Sequence, residues 1–402
     1  MNQWKEYKLG DAPIKFIDGD RGKNYPSQGE FFSKGHCLFL STKNVRQGGF
    51  DFTECSFITL EKDLSLRKGK LQRNDIILTT RGTIGNLAFF DDKVPFNNVR
   101  INSGMLIIRP NEEEVTARYC FYIFRSLQNT FITFTSGSAQ PQLPIRDLNE
   151  IDILLPPLAE QRAIASILSS LDDKIDLLHR QNATLEALAE TLFRQWFVEE
   201  AEESWEKGKL GDFVETNGLT VGKGYKYEFI EYLDTSSLNK GSIDSTQSLA
   251  LIDAPSRARR LVRHNDILIS TVRPDQRHYG IIKNPLKNLV ASTGFCVITC
   301  IDIDPHFTYL LLTNDEMTQY LHSIAEGSTS TYPSLRPDDI EKIEFPIPPL
   351  EKMNEFGRIV SEFWEKIDSN HTQIRTLTQL RDTLLPKLMN GEVRVSETSN
   401  QA

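Results

Sequence analysis

The sequence predicts an α+β fold made twice: two duplicated, β-rich α+β globules separated by two long helices that form an antiparallel coiled coil, with pseudo-twofold symmetry. Three observations predict it. A heptad seam begins after Pro156-Pro157, its register returns 192 residues later, and the strand-like motifs before the first seam recur in the same order before the second.

The helices come first in the argument. Ile164, Leu168, Leu171, Ile175, Leu178, Leu185, Leu192 and Trp196 follow steps alternating four and three; Ala189 keeps the register and Asn182 alone is polar. A stripe this narrow needs a partner helix rather than a broad core. Adding 192 to each position gives Phe356, Val360, Phe363, Ile367, Asn370, Ile374, Leu377, Arg381, Leu384 and Leu388, eight of them apolar. Pro348-Pro349-Leu350 likewise repeats Pro156-Pro157-Leu158, and proline pairs suit a helix start. The second helix is expected to end or kink near Pro386, with Asn390-Gly391 as the stop. Two copies related by a pseudo-twofold axis would pair these helices antiparallel. At helical rise the first seam measures about 48 Å, which reads as a spacer of fixed length.

The globules repeat as well. In residues 1–150, runs such as CLFLSTKNV, DIILTTRG and GMLIIRP read as strands, interrupted by a helix around 114–127. From Trp205 the order recurs. Leu9-Gly10-Asp11 matches Leu210-Gly211-Asp212, Asp75 matches Asp266, and Gly104 matches Gly294. The segments are therefore 1–150, a first globule; 151–204, a first helical spacer; 205–345, a second globule; 346–395, a second spacer; and 396–402, a polar tail.

Charge divides unevenly. The net of −9 splits into +3 for 1–150, −7 for 151–204, −4 for 205–345 and −1 for the remainder. Global charge thus neither supports nor excludes nucleic acid, and local basic clusters decide. Asp172, Asp173, Asp176, Glu186 and Glu190 lie off the seam and read as a solvated helix face. Five cysteines without a CxxC pair read as buried thiols of a cytosolic protein. No apolar run reaches membrane-spanning length, so a cytoplasmic location without a membrane partner is expected.

Four places are candidates for DNA contact. Arg21, Lys23 and Asn24 lie in a Gly-rich loop echoed by Lys223 and Lys226, in either a phosphate-facing loop or an ordinary surface turn. Arg81 follows a strand and is echoed, with a one-residue slip, by Arg273; either could read guanine or serve a structural salt bridge. Arg257, Arg259, Arg260 and Arg263, with Arg273, Arg277 and His278 nearby, form a cluster set in an acidic segment. A looser counterpart in the first globule is Lys62, Arg67, Lys68, Lys70 and Arg73. Finally, polar loops before each helix offer Gln140, Gln142 and Tyr332, for DNA or for capping the globule.

No catalytic constellation emerges. The adenine-methylating Asn-Pro-Pro-aromatic loop and GxxxxGK[ST] are absent, and no metal ligands and no metal-ligand spacing are found among the histidines. Asp75 and Asp266 each follow Asn and read as turn residues.

The duplicated unit, PPLAEQRAI at 156–164, LFRQWF at 192–197, LLPKLMNG at 384–391 and IDGDRGKNYP at 17–26 together resemble the specificity subunit of type I restriction-modification enzymes, over essentially the whole chain. The second copy departs from the pattern, reading PPLEKMNEF without Glu-Gln, which bears on whether both helices dock a partner alike. The resemblance implies a non-catalytic subunit whose globules are target-recognition domains, each reading half of a bipartite, asymmetric site in double-stranded DNA. It implies two modification subunits and restriction subunits as partners, with S-adenosylmethionine, ATP and Mg²⁺ on those partners and no cofactor on this chain. Two other readings stand beside it: a self-contained DNA-modifying enzyme, and a duplicated coiled-coil scaffold that binds no DNA.

Overall fold

The computed structural model describes residues 4–46, 48–133, 142–327 and 333–395. The chain divides into two compact units: Met1–Asp176 with Arg375–Ala402, and Leu177–Ile374.

In unit 1 a four-stranded antiparallel sheet has the order Ile14–Asp18, Met105–Pro110, Asp75–Thr79, Leu87–Phe90. Asp75–Thr79 is buried at all five positions, because both faces of the sheet are covered. On one face lies the helix Ala117–Ser126, which buries Tyr119, Tyr122 and Phe124. A smaller sheet sets Cys37–Leu40 between Phe57–Ile58, antiparallel, and Val99–Ile101, parallel. A ribbon of Lys5–Lys8 with Asp152–Leu155 delivers the chain to the first long helix.

Unit 2 repeats the plan. Its first sheet runs Val214–Thr216, Phe295–Cys300, Ile267–Ser270, Tyr279–Ile281, and its ribbon pairs Lys207–Lys209 with Glu344–Pro346. In its second sheet Phe229–Leu233 again lies parallel to Leu289–Ser292, with Ala258–Leu261 beyond. The repeat reaches single turns. Asn74 and Asn265 take left-handed φ of 73° and 68° just before Asp75 and Asp266, as turn residues would. Asp75 then accepts from Arg109 at 2.7 and 2.6 Å, and Asp266 accepts from Thr299 Oγ1 at 2.7 Å.

The long helices span Leu158–Arg194 and Leu350–Met389, each starting directly after its proline pair. The first closes in a π-helical turn, Gln195–Glu199. In unit 1 the start of the first helix pairs with the end of the second, Asp172 accepting from Arg381 Nη1 at 3.0 Å. In unit 2 the rest of the first helix pairs with the start of the second, Asn182 Oδ1 accepting from Asn370 Nδ2 at 2.7 Å. Within each unit the pairing is antiparallel. The two seam asparagines, read from the sequence as separate interruptions, face each other.

Seam positions Ile164, Leu168, Ile175, Leu178, Asn182, Phe356, Val360, Ile367 and Asn370 are buried, while Leu171, Leu185, Phe363, Ile374 and Leu377 are half-buried. Towards the end of the first helix the buried side chains are Phe193 and Phe197, not Leu192 and Trp196. There the helix packs on its own globule as well as on its partner. Phe197 lies 4.8 Å from Phe307 and 4.9 Å from Phe356, which rotates the contact by one residue. The second helix carries Pro386 inside its last turn and stops after it: Asn390 N donates to Pro386 O at 3.0 Å and Gly391 has φ 76°.

Two residues of the supposed solvated face, Asp172 and Glu186, are half-buried. Asp172 gathers Tyr122 Oη at 2.7 Å, Arg125 at 2.9 Å and Arg381 at 3.0 Å. Glu186 is pushed up to about 7 by burial and by the neighbouring Glu190. Both point at their own globule, a direction that heptad spacing does not encode. Among the described residues no helix is long and apolar enough to cross a membrane.

Candidate nucleic-acid interface

In unit 1 the candidate residues converge on the turn Ser103–Gly104. The loop after Ile14–Asp18 passes so close that a Cβ on Gly19 would sit 2.1 Å from the Asn102 carbonyl oxygen, so glycine is required there. Asp20, 5% exposed, fastens this loop by accepting from Gly22 N at 2.6 Å and Arg67 N at 2.7 Å. Burial pushes its carboxyl up, but the N–H groups of Gly22, Arg67 and Lys68 and the Arg67 charge outweigh that and hold it below its ordinary value. The tip closes as a turn, Tyr25 N donating to Gly22 O at 3.0 Å, and leaves Lys23 and Asn24 exposed. Asn24 reaches back to Ser65 O at 3.0 Å. Arg21 is exposed and donates to Ser103 O at 3.3 Å.

The strand-end arginine arrives at the same turn. Thr80 N and Arg81 N both donate to Gly104 O, at 2.9 and 3.2 Å. Arg81 is exposed, and its Nε donates to Gln142 Oε1 at 3.0 Å. The structure therefore brings Arg21, Arg81 and Gln142 around one backbone turn, with Lys23 and Asn24 on the adjoining loop. Gln140 lies outside the described residues, and so does Tyr332.

Unit 2 builds the same site from its own residues. Tyr225 N donates to Gly222 O at 3.0 Å, so Lys223 takes the place of Lys23 on an equivalent turn. Lys223 and Lys226 are exposed. The segment before the turn lies along Ala258–Leu261: Val221 N donates to Arg259 O at 2.9 Å and Leu261 N to Leu219 O at 3.1 Å. The Gly-rich loop and the arginine cluster, 31 residues or more apart in sequence, thus share one edge. Arg257 and Arg259 are exposed, whereas Arg260 is half-buried with Nε enclosed. Thr293 N donates to Arg257 O at 2.8 Å, and Thr271 N to Gly294 O at 2.8 Å, so Thr293–Gly294 is the hub here. Asp234 stands close enough to feel Arg257. Ser236 and backbone N–H groups hold its carboxyl below the ordinary value against burial, and the Arg257 charge adds to that.

Three assignments change. The counterpart of Arg81 is Val272, not Arg273, because Arg81 bridges Gln142 as Val272 bridges Ser334. Arg273 follows by one residue, exposed and with φ 49°, at the start of a short 3-10 turn. Arg277 is half-buried and held by Asp315 at 2.6 Å, away from the strand that carries Arg257 and Arg259. In the looser cluster, Arg73 donates to the carbonyls of Asp91, Val94 and Phe96 and lies over the Phe90 ring at 4.4 Å, a structural post. Arg67 instead belongs with the site. Lys70 bridges Arg100 as Leu261 pairs with Val290, and the bulge between Ala258 and Arg260 takes up one residue, so Arg67 answers to Arg257. The repeat alignment carried that signal, but loops of unequal length hid it.

Among the described residues no three His, Cys, Asp or Glu side chains converge to hold a metal ion. The buried thiols of Cys37 and Cys296 are pushed up to about 12, by burial first, and so stay protonated. What the arrangement offers is backbone turns and exposed cations on one edge of each unit, suited to an anionic, extended ligand.

Comparison with known proteins agrees with that chemistry. Residues 1–187 and 202–379 match the family model of the type I restriction modification DNA specificity domain. The MjaIX specificity subunit of the type I restriction enzyme of Methanocaldococcus jannaschii is 28% identical, covering 84% of this chain and 81% of that one. The HindI specificity subunit of Haemophilus influenzae is 25% identical, over 98% and 100%. The crystal structure of the type I restriction-modification S subunit from M. genitalium has the same fold, with a TM-score of 0.60 at 18% identity, covering 96% of each chain.

Proposed function

Because the chain belongs to the type I restriction-modification DNA specificity family, we propose that its units each read one half of a bipartite, asymmetric target in double-stranded DNA. The observation that carries this reading is the doubled constellation. The Gly-rich loop and the strand-end residue meet at Ser103–Gly104 in unit 1; in unit 2 the cationic strand and the strand-end residue meet at Thr293–Gly294, with the Gly-rich segment along the same strand.

The side chains differ between the copies while the backbone plan does not. Arg81 and Gln142 stand where unit 2 offers Val272 and Ser334, and that difference is what an asymmetric target requires. Lys23 and Lys223, at matching turns, are assigned to phosphates, which position the protein without specifying sequence. The long helices fix the gap between half-sites and dock two modification subunits; restriction subunits join that complex. In this reading the chain itself is non-catalytic and carries no cofactor. S-adenosylmethionine, ATP and Mg²⁺ belong to the partner subunits.

The test is DNA binding by the chain with its modification subunit, over a range of salt. Reversing Arg257 and Arg259 to Glu should weaken binding and flatten the salt slope by about two, one per phosphate-range cation removed. Binding and slope that stay at wild-type values would exclude this edge from the interface.

A further inference from the structure

The two units use the same helix register for opposite contacts. The offset of 192 that aligns the seams lets each contact across the helix pair be matched to a counterpart in the same register. Near a helix start, unit 1 pairs Glu160 with Arg394 at 2.6 and 2.9 Å. Trp4 Nε1 donates to the same carboxylate at 3.0 Å and Arg394 lies 5.2 Å over the Trp4 ring. In unit 2 the counterpart of Glu160 is Lys352. It pairs with Glu200 at 3.2 Å and lies 5.5 Å over Trp205, the counterpart of Trp4. The clamp is the same, and its charges are reversed.

Further along, Asp172 holds Arg381 in unit 1. The matching positions in unit 2 are Trp364 and Ala189, both within one buried apolar cluster. The third pair is Asn182 with Asn370, hydrogen-bonded and buried. Its counterparts are Ile374 and Leu178, an apolar pair. In all six cases the two residue numbers sum to the same value within two, so one antiparallel register generates every pair.

We infer that these three mismatched pairs make the first half of the chain, 1–202, complementary to the second half, 203–402, and not to a second copy of itself. Laid on its own copy in this register, the first helix would set Glu160 against Glu200, Asp172 against Ala189 and Asn182 against Leu178. The second helix would set Lys352 against Arg394, Trp364 against Arg381 and Asn370 against Ile374. Each self-pair sets like charges together at the clamp, takes the cross-helix ion pair from Asp172 and Arg381, which keep Tyr122 and Arg125 or Asp382 on their own piece, and strips the buried seam amide of its cross-helix hydrogen bond. The chosen pairing instead sets opposite charges at both clamps, Arg381 on Asp172, and Asn370 on Asn182. Specificity here comes from what the wrong partner leaves unsatisfied. The consequence is that unit 1 is always completed by the other half's helix, which keeps two different sites in one molecule. This goes beyond the DNA-reading proposal and does not depend on it.

The experiment starts from the full chain. A protease site placed in the exposed turn Ala201–Ser204 is cleaved in the folded protein. The pieces are then separated in urea, reassembled and weighed by native mass spectrometry. Pieces 1–202 and 203–402 should pair with each other at least about tenfold in excess of self-pairs; a statistical 1:2:1 mixture would overturn the inference. The variant E160K/R394E/N182I/N370L makes two of the three pairs the same in polarity as their counterparts 192 residues away. It should keep the mixed pair and raise self-pairs at least about tenfold; self-pairs that stay at wild-type levels would also overturn it. Where the pieces do not reassemble from urea, both forms are co-expressed as pieces with two different tags. Recovery of a self-pair from the wild-type pieces counts against the inference, and its absence there with appearance in the variant supports it.

Discussion

Replacing the seam asparagines tests the helix pairing most sharply inside one unit. Asn370 Nδ2 donates to Asn182 Oδ1 at 2.7 Å and to Gln181 Oε1 at 3.0 Å, with Asn370 fully buried and Asn182 5% exposed. Asn370→Leu removes the donor that serves Asn182, leaving a buried amide with no partner, at about 1–3 kcal/mol. Asn182→Leu is milder, because Asn370 keeps Gln181. The double variant removes both amides and adds apolar burial, worth about 1–2 kcal/mol net. The predicted order of stability is therefore double variant, wild type, N182L, N370L, with a coupling between the two sites of about 2 kcal/mol or more. Urea unfolding of the four proteins followed by helical circular dichroism measures it. Equal losses for the two single variants, or a double variant destabilised by their sum, would refute the reasoning.

Other perturbations follow from the same contacts. Asp172→Ala strips Arg381, Arg125 and Tyr122 of a shared acceptor and should cost about 3–5 kcal/mol in thermal unfolding. Burial lowers Lys283, beside His306 at 2.8 Å, to about 8. A lysine lowered in the folded state binds fewer protons there than when unfolded, so stability should rise between pH 8 and 10.5 by up to about 1.4 kcal/mol per pH unit. Lys283→Met should flatten that rise in urea titrations repeated across pH. Glu186, raised to about 7, has the opposite sign, so stability should fall from pH 4.5 to 7 and Glu186→Gln should level it. Arg73→Ala should lower the melting temperature while leaving DNA affinity unchanged in a complex that still assembles, since its guanidinium is spent on carbonyls.

The duplication, the two helices and their starts were legible in the sequence because heptad spacing and proline pairs are local signals. The order of strands was legible from repeated turns such as Asn74-Asp75 and Asn265-Asp266. What stayed hidden was tertiary. Asp172 looks like any exposed helix acid until Tyr122, Arg125 and Arg381 are placed around it, and Phe193 displaces Leu192 only because Phe307 is there. At the candidate sites the sequence singled out Arg81 and Arg257 by residue type, but not that Arg81 answers to Val272 or that Arg277 is held by Asp315. Charge type marks a cation as a candidate; only packing says whether it is already engaged.

The most direct test of the account is a methylation map of cells carrying this chain and its modification subunit, made before and after residues 205–345 are exchanged for those of another family member. The account predicts two short motifs with a fixed gap, of which the exchange alters one and leaves the other and the gap unchanged. An exchange that alters both motifs, or neither, would contradict it.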